Sequence, residues 1–510
     1  MTQTTSRSTS IARNALSNWT AFLYVAGVSF FLSPFIVKHL GATAYGVWSL
    51  LVALVGYLGL LDFGVRGAVT RFIAQHHAVG DNKAASGIAS GAVVLFGCAG
   101  GIAIAVASVV AVYSSTLFNI PPELADTAKT VLVISGFTVA STLIGAVFGG
   151  VLTGLERFDI SAGIEILITT VRTIGVIVVL EDGHGLPALA YVHLITSLAY
   201  GVLAWFAVRR LYSNFRLDFR QPLRQPIKTI LSFSAFLSAI HVLAMLIFYT
   251  DAVVIAVVLP ISAVAVFAIA GNLVDYASKV AGALSKQITP RVSALKSLGS
   301  VDVGEAVLLT ARLATLACTP IAMTFFVRGE SFISLWMGPE FGPSSGAVLE
   351  VLAFITWLGG ARAVASSAII GANRHRLLIP ALAGEAVINL GLSIVLAHAI
   401  GVVGVAVGTV IPATIVTVVF VPVYLRMATG VPIMDFYRRA LWRPSVACLP
   451  FFLATMLFEQ YLPARNLLMF FLQVMLILPL VPLSALFLCA TPTERQNVLA
   501  IARRFTAGTG

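Results

Sequence analysis

Long uncharged runs, separated by short polar segments, dominate the pattern of hydrophobic and polar positions along the chain. The run from Val47 to Leu61 contains no charged side chain and is followed by Asp62 and Arg66. An α-helix rises about 1.5 Å per residue, so about 20 apolar residues cross the hydrocarbon core of a bilayer. About fourteen membrane-spanning helices are predicted, at 17–37, 44–64, 87–113, 128–154, 160–181, 187–208, 231–258, 261–283, 304–327, 345–371, 375–398, 403–425, 444–460 and 466–490.

Composition supports an all-α polytopic membrane protein. Of the 510 residues, 59% are hydrophobic and 10% are charged, whereas soluble domains carry roughly 25% charged residues. The apolar runs are continuous and do not alternate with polar residues, which favours helices over an outer-membrane β-barrel. The cysteines stand singly, and none of their spacings suggests a metal site or a disulfide framework. They are Cys98, Cys318, Cys448 and Cys489.

Basic residues are concentrated in every second connection between the predicted spans. The formal net charge is +11, and the alternate connections carry only Lys38, Arg328 and Arg465, with Lys129 at a span edge. The positive-inside rule then predicts that both termini are cytoplasmic, including the tail 491–510. The polar start up to Asn18 is interpreted as a cytoplasmic tail, because the apolar run after it is too long for a signal peptide. This placement of charge argues against a nucleic-acid partner.

The two halves of the chain repeat at an offset of 217 or 218 positions. Thr153–Arg157 corresponds to Ile370–Arg374, and Gly183–Ala190 corresponds to Gly401–Gly408. Six spans followed by six with the same starting side form a parallel repeat, so we expect two six-helix lobes, related by a pseudo-twofold axis, around a central cavity. The last two spans have no counterpart in the repeat. Truncation near Gly430 is therefore expected to leave a folded twelve-span core.

The predicted domains follow from this repeat. They are an N-lobe (1–208), a basic cytoplasmic linker (209–230), a C-lobe (231–428), and two accessory spans with a cytoplasmic tail (429–510). The linker contains Pro222, Pro226 and six basic residues, which suit an exposed connector beside an anionic leaflet. An ordinary basic loop and a specific site for lipid headgroups are both compatible with this pattern.

Ionisable side chains inside a span are costly, and those that are retained usually face a partner or a polar pathway. Arg172 lies near the middle of the fifth predicted span, seven residues after Glu165. A guanidinium can bind phosphate oxygens bidentately, so Arg172 is a candidate for binding an anionic substrate. A structural pair between Arg172 and an acid is the alternative. The repeat places Asn389 opposite Arg172 as a second cavity residue, with Glu385 as a further acid.

Other polar groups in the spans form two sets of candidates. Those for substrate binding are Arg312, Arg362, Asn272 and Lys279. Those for ion coupling or gating are Asp62, Arg66, His241, Asp251 and Asp275, together with Glu165 and Glu385. Simple interfacial ion pairs are the alternative for Asp275 with Lys279. Snorkelling to the interface is the alternative for the two arginines, and a satisfied core histidine for His241.

The segment GATAYGVWSLLVALVGYLGLLDFGVRGAVTRFIAQ, from Gly41 to Gln75, resembles the start of bacterial polysaccharide-biosynthesis exporters. Gly80-Asp81, the turns at 154–157 and 371–374 and the segment Leu335–Phe341 support the resemblance. These exporters belong to the superfamily that also holds multidrug and toxin extruders. The resemblance implies two six-helix bundles around a central cavity. It also implies movement of an undecaprenyl-diphosphate-linked oligosaccharide across the bacterial inner membrane by alternating access.

The resemblance also sets the expected partners and cofactors. The partners are the lipid-linked oligosaccharide (an O-antigen, exopolysaccharide or capsule unit), membrane lipids, and a polysaccharide polymerase with chain-length machinery. No catalytic residue, metal or cofactor is expected, and a proton or sodium gradient is the candidate energy source. A multidrug extruder is the alternative, and the basic residues argue against it. A membrane-embedded polymerase or ligase is a further alternative, but the outer connections are short for an enzyme.

Overall fold

The computed structural model describes residues 2–212, 215–220, 222–298 and 302–490, with side chains omitted for 2–16, 18 and 233–238. Within these ranges the chain is helical and contains no strand, which confirms the predicted all-α class. Thirteen described segments are long and apolar enough to cross a membrane. The predicted cytoplasmic tail, 491–510, lies outside the described residues.

The segment Trp19–Asp62 contains two of the predicted spans. The helix Thr2–Leu58 is interrupted at Gly41, where φ is 74° and ψ is 167°. A positive φ of this kind is accessible to glycine at little steric cost. The break therefore separates spans 17–37 and 44–64 as the hydrophobic pattern predicted.

The chain divides into two compact units, which we call the N-unit (Met1–Ala265) and the C-unit (Val266–Gly510). The N-unit contains the helices α1 (Thr2–Leu58), α2 (Val65–Ala78), α3 (Asn82–Leu117), α4 (Pro122–Gly154), α5 (Phe158–Glu181), α6 (Leu186–Leu211) and α7 (Arg224–Val258). Its core is built by α2, α3, α4 and α6, and fully buried residues include Ile73, Phe96, Val147 and Ala204. The predicted division of the chain into an N-lobe and a C-lobe at the linker 209–230 stays a prediction.

Helix α8 (Ser262–Ser285) crosses the boundary between the units. The C-unit continues with α9 (Ile288–Ser297), α10 (Val303–Met337), α11 (Gly342–Gly371), α12 (Leu378–Ile400), α13 (Val402–Ile415), α14 (Val421–Thr429), α15 (Ile433–Asp435), α16 (Arg443–Ala447), α17 (Leu449–Tyr461), α18 (Leu467–Ile477) and α19 (Leu480–Leu488). The main core joins α9, α10, α11 and α14, around buried residues such as Val292, Val307 and Val364.

A π-helical turn, Val416–Phe420, joins α13 to α14. Pro422 follows it and has no N–H to donate to the carbonyl of Val418, four residues earlier. The hydroxyl of Tyr437 donates to that carbonyl instead. The proline thus explains both the local departure from α-helix and the contact with the segment that precedes the accessory helices.

The repeat is visible in local backbone geometry within each unit. Glu156 and Asn373, at corresponding positions, have φ values of 57° and 56°. In both turns the residue after the left-handed one donates its N–H to a carbonyl five residues back, from Arg157 to Leu152 and from Arg374 to Ile369. These bonds are typical of the Schellman motif that closes a helix. The sequence match found at these positions therefore reflects a shared turn.

The linker between α6 and α7 is more firmly attached than an exposed connector. Tyr212 and Phe215 are buried in the N-unit core. The backbone N–H groups of Arg216 and Asp218 donate to the hydroxyls of Ser86 and Ser90, at 3.2 and 2.9 Å. Burial, and to a lesser degree nearby Asp81, raises the pKa of Tyr212, whose neutral hydroxyl donates to Asn82. The predicted exposure holds for the basic side chains at 209, 210, 216, 220, 224 and 228.

The structure corrects the position assigned to Arg328. The sequence placed it in an outer connection, but α10 continues past it to Met337. Arg328 lies inside this helix at a backbone irregularity (φ −122°, ψ 15°) and its side chain is 0% exposed. The long apolar run misled the boundary assignment, because a charge normally ends a span and this one is paired inside the protein.

Two adjacent glycines in α11 provide a matched test of helix packing. A Cβ at Gly360 would lie 2.5 Å from the carbonyl oxygen of Ala314, whereas a Cβ at Gly359 would have no neighbour within 4 Å. We expect Gly360→Ala to destabilise the protein by about 1–3 kcal/mol through overpacking. Gly359→Ala should be neutral or slightly stabilising, since alanine favours helix. Thermal unfolding in detergent measures both, and equal shifts would contradict the close approach of α10 and α11.

Candidate functional site

The N-unit places Arg172 on α5 with only a neutral side chain as its hydrogen-bond partner. Its Nε donates to the Thr196 hydroxyl on α6 at 3.2 Å, and its side chain is half-buried. Glu165 interacts with it electrostatically. Among the described residues, however, no carboxylate lies within the 4.0 Å of an ion pair with Arg172. A guanidinium in this setting retains the capacity to bind an anion.

Further polar and aromatic side chains surround Arg172. His193 lies close enough to Arg172 for an electrostatic interaction, and its ring packs edge-to-face on Trp48 with centroids 5.2 Å apart. Tyr200 interacts with Ser161 and Glu165. We call Trp48, Glu165, Arg172, His193, Thr196 and Tyr200 the N-unit polar cluster. It combines one strong cation with hydroxyl groups and aromatic faces, which are groups that recognise a phosphate and polar neighbours.

The sequence analysis missed His193, Thr196 and Tyr200. They lie at positions i, i+3 and i+7 of α6, which places them on one helix face. That spacing was available as a signal. The candidates were chosen for their charge, and this polar face of α6 was therefore not predicted.

Asp62 and Arg66 lie where the second span ends and α2 begins. Phe63 and Gly64 both have positive φ, and the N–H of Arg66 donates to the Asp62 carboxylate at 3.2 Å. Asp62 therefore caps a helix start. The Arg66 side chain extends towards Gly149 on α4, where Tyr200 also packs.

The two candidates on α7 lie in different environments. Asp251 is buried, and His241 is exposed. Asp251 interacts electrostatically with Tyr57, whose hydroxyl forms a 2.6 Å hydrogen bond with Thr250. The structure therefore does not bring His241 and Asp251 together.

In the C-unit, Arg362 and Glu385 form a bidentate pair. The Arg362 Nη1 and Nη2 atoms lie 2.9 and 2.6 Å from the two carboxylate oxygens of Glu385, which is buried. Arg362 Nη1 also reaches the Ala413 carbonyl and the Thr417 hydroxyl, each at 3.5 Å. These contacts join α11, α12 and the π-helical turn. Both of the charges are thereby compensated within the protein.

Asn389, at the position corresponding to Arg172, also reaches the next helix. Its amide donates to the Thr409 hydroxyl on α13 at 2.9 Å, and both residues are buried. The repeat thus preserves a polar contact between consecutive helices while the charged donor of the N-unit becomes a neutral amide in the C-unit.

The remaining candidates lie apart from these groups. Asp275 and Lys279 form a 2.7 Å ion pair on α8, where both are partly exposed, and Asn272 lies one turn earlier. Arg312 donates to the carbonyl of Cys489 at 2.7 Å and so joins α10 to the end of α19. The accessory helices therefore contact α10 through one of the predicted binding residues.

A second contact with the accessory helices was not foreseen. Arg328 donates to Glu459 on α17 and to Gln473 on α18, each at 2.7 Å. Its guanidinium lies 4.4 Å from the ring centroid of Phe470. No pattern in the sequence pairs these residues, because Arg328 lies more than 100 positions before Glu459 and Gln473.

Comparison with known proteins agrees with the helical architecture. A family model described as "Polysaccharide biosynthesis protein" matches residues 11–296. A Shigella flexneri protein named "Putative O-antigen transporter" is 20% identical over 427 residues, covering 82% of this chain and 99% of that protein. The Lipid II flippase MurJ, in an inward closed conformation, has a TM-score of 0.71 at 13% identity, with 93% and 98% of the two chains covered.

A multidrug resistance MATE family transporter of the MOP superfamily, in an inward-facing conformation, is also similar. Its TM-score is 0.70 at 16% identity, and the match covers 81% of this chain and 94% of that one. At such identities the two solved structures show a shared fold only.

Proposed function

Because this chain belongs to the polysaccharide biosynthesis protein family, we propose that it moves a polysaccharide precursor, an undecaprenyl-diphosphate-linked oligosaccharide, across the bacterial inner membrane. The observation that carries this proposal is Arg172, a half-buried guanidinium in a membrane span, which has no carboxylate within ion-pair distance among the residues that the structure describes. Such a group is costly unless it binds an anion. The name of the Shigella flexneri relative and the flippase fold support the same proposal.

The chemistry of the N-unit polar cluster suits this substrate. Arg172 can donate two parallel hydrogen bonds to a phosphate, while its Nε donates to the Thr196 hydroxyl and so keeps the guanidinium in place. Glu165 partly compensates the charge when no anion is bound. His193 and Tyr200 add donors and ring faces for the first sugar. Binding at this cluster and release on the other side constitute transport by alternating access, without covalent chemistry and hence without a catalytic residue.

We propose that a coupling ion acts through buried acids. Asp251 beside Tyr57 in the N-unit, and Glu385 with Arg362 in the C-unit, are the candidates. Asp62 is a weaker candidate because its carboxylate caps α2.

We also propose that both termini are cytoplasmic. With Arg328 moved into α10, the connections assigned to the outer side carry even fewer exposed basic residues, which strengthens the charge asymmetry. A reporter fused at Asp218 should therefore read cytoplasmic and one at Gly338 periplasmic. A polysaccharide polymerase and chain-length machinery are the proposed neighbours that use the exported units.

Deletion of the gene in its host, followed by lipid extraction, tests the proposed function. A flippase deletion should accumulate short lipid-linked repeat units on the cytoplasmic face and lose surface polysaccharide. The alternative within the fold is a multidrug extruder, supported by the MATE transporter similarity. Drug sensitivity with unchanged lipid-linked sugars would establish the extruder and reject the flippase.

A further inference from the structure

The turn that joins α4 to α5 and the turn that joins α11 to α12 have the same backbone conformation. Their side chains carry net charges of opposite sign. At the offset of 217, Glu156 corresponds to Asn373, Phe158 to His375 and Asp159 to Arg376, while an arginine is kept at 157 and 374. Both acids of the first turn are thus replaced, one by an amide and one by a guanidinium. The second turn therefore contains two guanidinium groups and no carboxylate of its own.

In the first turn the arginine is neutralised by its own chain. Arg157 donates from Nε and Nη2 to the two carboxylate oxygens of Asp159, at 3.0 and 3.1 Å. This bidentate geometry is the one that arginine also forms with phosphate. In the second turn the position of that carboxylate is occupied by Arg376. Asp159, which pairs with Arg157 in the N-unit turn, thus has no acidic counterpart in the C-unit turn.

The second turn also forms a cleft. It has a volume of about 290 Å³ and is lined by Asn373, Arg374, His375, Arg376 and Leu377. Ligand pockets are commonly about 300–1,000 Å³, so this one suits a headgroup rather than a whole lipid-linked oligosaccharide. Helix α12 begins beside it without a side-chain cap, and the partial positive charge of its N-terminus adds to that of the side chains.

Neighbouring helices hold the turn in place. A Cβ at Gly371 would lie 2.5 Å from the Thr289 carbonyl oxygen on α9, and the Thr289 hydroxyl donates to the Ser367 carbonyl at 3.0 Å. The end of α11 is thus fixed directly against α9. Side chains on a backbone that is already ordered lose less entropy when they bind a ligand.

We propose that the turn Asn373–Leu377 is a binding site for a phosphate-bearing anion at the membrane surface, separate from the N-unit polar cluster. Arg374 and Arg376 bind the phosphate oxygens, and His375 and the Asn373 amide contribute further donors. The chemistry is shared by the diphosphate of a lipid-linked sugar and the headgroup of an anionic phospholipid. The assignment of the ligand as a lipid-linked diphosphate rests on the proposed function. Binding of a phosphate-bearing anion at this turn does not.

The test replaces Arg376 with the residue that the N-unit uses. Arg376→Asp rebuilds the Arg-x-Asp pair seen at Arg157 and Asp159, so we expect the turn to fold and its anion binding to be lost. Arg376→Gln removes the positive charge without introducing a negative one. It should weaken anion binding roughly tenfold, as expected for the loss of a charged hydrogen bond. Arg426→Gln is the control, because Arg426 is an exposed arginine in the last turn of α14, on the same predicted side.

Two probes are applied to the full chain and its variants. Inorganic pyrophosphate binding to the detergent-purified protein is measured by calorimetry, and lipid binding is measured in nanodiscs containing phosphatidylglycerol or only phosphatidylcholine. Loss of pyrophosphate binding in both Arg376 variants supports a diphosphate ligand. Loss restricted to phosphatidylglycerol supports a phospholipid headgroup. Unchanged binding of both probes, or an equal loss in Arg426→Gln, overturns the proposal.

These outcomes are distinguishable from failure of the proposed function. If deletion of the gene leaves lipid-linked sugars unchanged while Arg376→Asp abolishes anion binding, the transport proposal fails and the site remains. If deletion accumulates those sugars while both Arg376 variants bind anions normally, the transport proposal remains and the site is rejected.

Discussion

Glu459→Ala should destabilise the C-unit by about 3–5 kcal/mol, because it leaves a buried charge without its counter-ion. Arg328 is 0% exposed, and Glu459 is its only carboxylate partner within 4.0 Å among the described residues. Gln473 and Phe470 contact the guanidinium but cannot neutralise it. Thermal unfolding in detergent measures the loss.

A double variant separates the charge from the packing. Arg328→Met with Glu459→Met removes both charges and keeps the space filled, and replacing a buried pair in this way is often neutral or stabilising. We therefore expect the double variant to recover most of the stability lost in Glu459→Ala. Single and double variants of equal instability would show that the ion pair is not what joins α10 to α17.

The same contact reverses the expectation for truncation near Gly430. That cut removes Glu459, Phe470 and Gln473, which together surround the Arg328 guanidinium. In the twelve remaining spans the Arg328 guanidinium would then face lipid without these partners. We therefore expect the truncated protein to misfold. Combining the truncation with Arg328→Leu should restore folding, since leucine is compatible with a lipid-facing surface.

Arg172→Ala should reduce export at least tenfold while the protein still folds. A hydrogen bond to a charged group contributes about 1.5–3 kcal/mol, which corresponds to a tenfold to roughly hundredfold change. Within the described part of the chain, the hydrogen bond that this substitution removes is the bond to Thr196. Surface polysaccharide in the deletion host, normalised to the amount of folded protein in the membrane, measures the effect.

Companion variants assign the effect to the guanidinium. Arg172→Lys should retain part of the export, since it keeps the charge but not the bidentate geometry. Thr196→Val removes only the contact between α5 and α6 and should do less harm, as should Asn389→Ala in the C-unit. Normal export by Arg172→Met would show that the arginine is structural and remove the main support for the proposed substrate.

The sequence predicted the spans well because their signal is local. Apolar runs, Gly41 at the first break, and the paired turns at 154–157 and 371–374 are each encoded within a few residues. The shared turn geometry at Glu156 and Asn373 agrees with the alignment of the repeat at these two turns. Such features need no knowledge of which helices touch.

The pairing of charges was not predictable in the same way. Arg362 and Glu385 are 23 positions apart, and Arg328 and Glu459 are 131 apart. Each pair depends on how helices rotate and pack, which periodicity leaves undetermined. Arg328 shows the consequence most clearly, because a charge near a span end looks the same in sequence whether it meets water or a partner helix.

The π-helical turn Val416–Phe420 stores one surplus residue in the twelfth span. One residue of an α-helix corresponds to about 100° of rotation and 1.5 Å of advance. If this turn tightened to α-helical bonding, α14 would rotate against α13 by that amount, and the contact between the Thr417 hydroxyl and the Arg362 guanidinium lies within this turn. A change in the twist of this span would therefore act directly on a contact of the Arg362–Glu385 pair.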